Sequence, residues 1–189
     1  LYDSIYLSPA DNIDVISGVE GLEASDDLML QAANALRLAT GTKMGAKIRT
    51  TKHIPSSAGL GGGSSNGATV LLGLNQLWKT DLAYPELAAI SAKLGSDVTF
   101  FLTGGTALTT GRGEQVGPQL PTPNSWVLLA KPTHGLSTKK VYNCLRTTEY
   151  SKGSKTRSLM RSIINKEPDY SLMVNSLSSP ATRLLPELN

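Results

Sequence analysis

The sequence predicts an α+β protein in two lobes, on three observations. Strand-like alternation and helix-spaced apolar residues are interleaved over residues 1–110, a glycine-rich stretch falls between one such strand and one such helix, and beyond Pro132 only helical patterns remain, separated by polar loops. The expected architecture is a mixed sheet with helices packed on one side, followed by a smaller, mainly helical lobe.

Leu1, Ser4, Ile5, Tyr6 and Leu7 alternate as an opening strand, and a second short strand falls at 15–17 after a polar loop over 9–14. Ser25, Asp26 and Asp27 then bring side-chain oxygens and negative charge to a helix start. Leu28, Ala32, Leu36 and Ala39 recur at helical spacing, and Gly41 ends the helix. Residues 47–54, rich in Thr and Ile, read as a strand closed by Pro55. Helices are predicted over 64–78 and over 85–94, the latter with Pro85 in its first turn. The apolar run 98–102 reads as a strand or the turn feeding one, 106–110 as a strand between Gly105 and Gly111, and 126–131 as the clearest buried strand. Helical stretches near 137–146, 157–165 and 181–188 make up the second lobe.

Hydrophobic residues at 40% and charged residues at 17% describe a folded protein rather than a disordered one, and the net charge of +3 is too small and too dispersed to predict a nucleic-acid partner. The single cysteine, Cys144, excludes an intrachain disulfide framework and a cysteine-based zinc site, and a reducing compartment is expected. No apolar run approaches the roughly 20 residues that cross a bilayer, so no membrane partner is predicted. His134 has no partner at metal-binding spacing and reads as a loop histidine.

Residues 55–68 read Pro-Ser-Ser-Ala-Gly-Leu-Gly-Gly-Gly-Ser-Ser-Asn-Gly-Ala, with four glycines in five positions. Without a Cβ in the way, successive backbone N–H groups converge on an anion, and the helix that follows adds its unpaired donors and roughly half a positive charge. Ser64 and Ser65 are expected to add hydroxyl donors or to reach a magnesium ion, Ser64 being the metal candidate. Two common phosphate motifs do not fit. A Walker loop needs Gly-Lys before Ser or Thr, whereas Gly63 precedes Ser64 directly; a dinucleotide fingerprint counted from Gly59 and Gly61 meets Ser64 where its third glycine belongs. A flexible Gly/Ser linker is the plain alternative, and the flanking strand and amphipathic helix argue against it.

The run Pro55-x-x-x-Gly59-Leu60-Gly61-Gly62-Gly63-Ser64-Ser65-Asn66 resembles the nucleotide loop of the GHMP kinases. Its triple glycine before Ser-Ser-Asn is similar to the branch of that family that acts on a cytidine-diphosphate-linked methylerythritol in non-mevalonate isoprenoid synthesis. Blocks at 94–101, 110–114, 131–138 and 141–142 agree in order. The resemblance implies ATP and Mg2+, a small-molecule substrate, transfer of the γ-phosphoryl group to the substrate 2-hydroxyl, a monomer or weak homodimer, and a cytoplasmic or plastid-stroma enzyme. It implies that Asp97 is the catalytic base and also touches substrate. The nucleotide falls to Pro55, Ala58, Gly59, Leu60, Gly61, Gly62, Gly63, Ser64, Ser65 and Asn66 with Lys52, Asp27 and Leu28, and the cytidine to Pro132, Ser137 and Thr138. The implied fold is a ribosomal-protein-S5-like N-terminal domain over 1–131 and a ferredoxin-like C-terminal domain over 132–189.

The pattern also departs from the family. Asp27 replaces the usual Asn, Thr99 a Pro, Gly67 an Ala, and Asn175-Ser-Leu-Ser stands for Asn-Asp-Leu-Glu. The family's opening lysine strand and its late glycine-rich turn find no match. The expectation is therefore an incomplete version of a longer enzyme with weak or no turnover, and the alternatives are another GHMP small-molecule kinase or an inactive nucleotide-binding fragment.

Overall fold

In the computed structural model, which describes residues 1–19 and 21–189, the chain divides into one unit of residues 1–56 and 60–119 and another of residues 57–59 and 120–189. The first unit holds a three-stranded mixed sheet. Strand β1 (Ser4–Ala10) runs antiparallel to β3 (Gly45–Thr51), and β2 (Ile13–Ile16) runs parallel to it, giving the order β1-β3-β2. A parallel pair needs a crossover, and helix α1 (Leu28–Thr40) supplies it between β2 and β3. Leu7 and Val15 both lie opposite Ile48, so the inward positions of all three strands form one apolar face.

Helix α1 begins where its cap chemistry demands. The Asp27 carboxylate accepts from the N–H groups of Met29 (2.8 Å) and Leu30 (3.4 Å), and Gly41 closes the helix in the left-handed conformation. Helices α2 (Gly62–Leu77) and α3 (Tyr84–Leu94) follow as the periodicity predicts. The core lies between the sheet and these helices, with Leu36, Ile48, Leu71 and Leu74 fully buried. Each such side chain stabilises the fold by about 1.5–3 kcal/mol.

Two expectations are corrected. Residues 98–102 belong to a short helix, α4 (Val98–Thr103), ended by Gly104, whose N–H bonds the Phe100 carbonyl. An apolar run this short has no period of its own, and packing decided between strand and helix. Thr99 is buried there with its hydroxyl 2.9 Å from that of Ser91 on α3, a contact that a proline at this position would lack. Beyond α4, strand β4 (Ala107–Thr110) pairs antiparallel with β5 (Gln115–Pro118).

The second correction concerns residues 126–131, which form no strand. Trp126, Val127 and Leu128 are exposed, Trp126 completely. A strand is stable only when its backbone groups pair, and among the described residues the second unit offers no strand to pair with. That unit consists of α5 (Thr138–Asn143), α6 (Ser154–Ile164) and α7 (Ser178–Leu184) with short helical turns, and its buried residues are Val141 and Pro180. Polar contacts hold α7 instead: Arg183 bonds the Glu149 carboxylate and the Cys144 carbonyl, while Ser179 donates to Glu149 at 2.7 Å. Arg183 and its neighbours hold the Glu149 carboxyl well below the usual carboxylate range. Among the described residues no helix is long and apolar enough to cross a membrane.

Candidate phosphate-binding site

The glycine-rich stretch leaves β3 at Thr51 and enters α2 at Gly62. Gly61 caps the helix with φ 67°, and a Cβ built on it would lie 2.8 Å from the Phe101 ring of α4, so only glycine fits. The first helical hydrogen bond runs from Ser65 N–H to the Gly61 carbonyl at 2.8 Å. The N–H groups of Gly62, Gly63 and Ser64 precede that bond, and no group among the described residues accepts from them. Gly62 is the point of closest approach. A Cβ there would meet Ile54 at 2.9 Å and the Lys52 ammonium at 3.4 Å, which places a side-chain cation at the positive end of α2.

Lys52 is held by Asp3, a residue the motifs did not single out. Its carboxylate is 1% exposed, pairs with the Lys52 ammonium, and accepts from the N–H groups of His53 (2.7 Å) and Ile54 (2.8 Å). Burial pushes its carboxyl up, but the bonds from Lys52, Ile54 and His53 outweigh it and hold the group at about 2. The available signal was weak: a lone acidic residue just before an apolar strand.

The start of α1 also meets the start of α2. Leu28 lies 3.9 Å from where a Cβ on Gly63 would stand and 3.2 Å from the same position on Gly67, so Asp27 and Leu28 are brought beside the loop, although the Asp27 carboxylate is engaged in capping. Asp97 occupies the cap position of α4, one turn before Phe101; it is exposed, and its carboxylate has no hydrogen-bond partner among the described residues. Asn66 is buried, whereas Pro55 and Leu60 are exposed.

The remaining predicted residues lie in the second unit. Ser57, Ala58 and Gly59 belong to it, and a Cβ on Gly135 would stand 3.0 Å from that of Ser57. Pro132 is half-buried; Ser137 takes the cap position of α5 without a side-chain bond, and Thr138 is the first helical residue. His134 sits in a loop, its Nδ1 3.8 Å from the Glu187 carboxylate. No group of three His, Cys, Asp or Glu among the described residues is arranged to hold a metal ion.

The model of the GHMP kinases N terminal domain matches residues 27–105, from the cap of α1 past the end of α4. Over that stretch the chain matches the GHMP kinase family. Among GHMP kinases it is 43% identical over 173 residues to the 4-diphosphocytidyl-2-C-methyl-D-erythritol kinase of Shouchella clausii, covering 89% of this chain and 58% of that protein. It is 41% identical over 172 residues to the protein of the same name from Listeria monocytogenes, covering 89% and 59%. The chain thus spans under two thirds of the length of these relatives. A crystal structure of 4-(cytidine 5'-diphospho)-2C-methyl-D-erythritol kinase superposes with TM-score 0.69 at 32% identity, over 98% of this chain and 66% of that one. Homoserine kinase from Cytophaga hutchinsonii superposes with TM-score 0.74 at 17% identity, over 98% and 67%, a likeness of fold alone.

Proposed function

We propose that the protein is a GHMP kinase that transfers the γ-phosphoryl group of ATP to the 2-hydroxyl of 4-diphosphocytidyl-2-C-methyl-D-erythritol. The observation that carries the phosphate reading is the start of α2, where three N–H groups have no partner at the positive end of the helix and the Lys52 ammonium lies beside Gly62. The choice of the cytidyl substrate rests on the relatives that are 41–43% identical to this chain over 172–173 aligned residues.

In this reading Gly61, Gly62, Gly63, Ser64 and Ser65 bind the phosphates, Asn66 and Pro55 shape the loop, and Leu28 with the backbone of Asp27 borders the base. Magnesium would arrive with the triphosphate, held by phosphate oxygens and water, with the Ser64 hydroxyl as the protein's donor; the absence of a carboxylate cluster among the described residues suits a cation bound in that way. Asp97, exposed and without a partner, takes the proton of the acceptor hydroxyl as phosphoryl transfer proceeds. Pro132, Ser137 and Thr138 contribute to holding the cytidine. The two expected domains, S5-like over 1–131 and ferredoxin-like over 132–189, belong to this same proposal.

The test is ADP release by the natural polypeptide containing these residues, given ATP, magnesium and the cytidyl substrate. Turnover is expected, and Asp97→Asn should lower kcat by about 10²–10⁴-fold while ATP still binds. Turnover with homoserine or a sugar but not the cytidyl substrate overturns the substrate; undiminished turnover in the variant overturns the base.

A further inference from the structure

We propose that Asp3 is a positioning residue for nucleotide binding, one that holds the Lys52 ammonium at the start of α2. The proposal rests on the reading of residues 55–68 as the phosphate site.

A lysine at this place has a physical difficulty. The N-terminal end of a helix carries roughly half a positive charge, so an ammonium next to Gly62 is repelled, and a flexible four-carbon stem would let it swing into water. Asp3 removes that freedom. Its carboxylate is almost completely buried and meets three donors from the segment just beyond β3: the Lys52 ammonium and the N–H groups of His53 and Ile54. Both oxygens are engaged, Oδ2 by Lys52 and Oδ1 by His53 and Ile54, so the group has one orientation. It thereby ties the start of β1 to the turn that leads into the loop and holds the cation beside Gly62. A buried ion pair contributes little net stability when set against its desolvation, which favours orientation as the role of this one. Preorganised charge of this kind strengthens anion binding because nothing has to reorganise when the ligand arrives.

The experiment compares ATP with adenosine by titration calorimetry on wild type, Asp3→Asn, Lys52→Met, the double variant and Asp3→Glu, each first checked for cooperative unfolding. Asparagine would direct amide protons at donors, so Asp3→Asn should weaken ATP about tenfold and leave adenosine unchanged. In the Lys52→Met background it should add nothing, because Asp3 acts through that lysine. Asp3→Glu, which keeps the charge and displaces it by one methylene, should recover ATP affinity only in part. Unchanged or tighter ATP binding in Asp3→Asn overturns the proposal, the latter by showing that the carboxylate merely offsets positive charge. A parallel loss of adenosine, or additive losses in the double variant, overturns it in favour of general support of the fold. If Asp3→Asn does not fold, Asp3→Glu decides, and wild-type ATP affinity in it overturns the proposal. A wild-type chain that binds no ATP overturns the phosphate-site reading itself, and the role of Asp3 with it.

Discussion

The two units of this chain are built on different physical terms. The first buries Leu36, Ile48, Val70, Leu71 and Leu74 completely and encloses an ionised carboxylate, Asp3, only because three donors meet it. The second buries little more than Val141 and Pro180, exposes Trp126 to Leu129, and is tied together by Arg183, Glu149 and Ser179. Water weakens contacts of the latter kind, whereas a close-packed core is felt at every methylene. The difference teaches that the start of α2, the candidate phosphate site, stands on the unit whose packing fixes Gly61 and the paired Lys52.

Three changes test that contrast. The largest effect is expected from Leu71→Ala, which opens a cavity beneath the sheet and should cost about 2–5 kcal/mol in denaturant unfolding; a loss under about 1 kcal/mol would mean the first unit is no better packed than the second. Acid comes next. The Asp3 carboxyl is lowered from 3.8 to about 2, so its contribution is complete above pH 3.8 and is lost as pH falls through about 2. Wild type should lose about 1–2 kcal/mol over that interval relative to Asp3→Asn, and parallel stability curves for the two would refute the buried pairing. The smallest effect belongs to Trp126→Ser. With the indole fully exposed, unfolding free energy should move by no more than about 0.5 kcal/mol, and a drop resembling that of Leu71→Ala would show that the segment is covered in solution.

Much of the first unit was legible in the order of its residues, because its signals are local. Asp27 and Gly41 mark the ends of α1 through bonds made within one turn, and the step from strand to glycines to helix is a property of neighbouring residues. Residues 98–102 and 126–131 were misread for one shared reason: a short apolar run is compatible with strand or helix, buried or exposed, until a partner is present. Packing on α3 and against Gly61 made the first of them helical, and the lack of a neighbouring strand left the second extended in water.

The sequence by itself determined the α+β class, the likeness to the GHMP kinases and the strand–glycine–helix step on which the phosphate site is proposed, since glycine conformation, helix capping and the loop motif depend on residues a few positions apart. Only the tertiary structure decided that Asp3, forty-nine positions before Lys52, is the partner of its ammonium. Such a pair is made by the antiparallel register of β1 on β3, in which Ser4 lies opposite Thr51, and no local pattern encodes a register between distant strands.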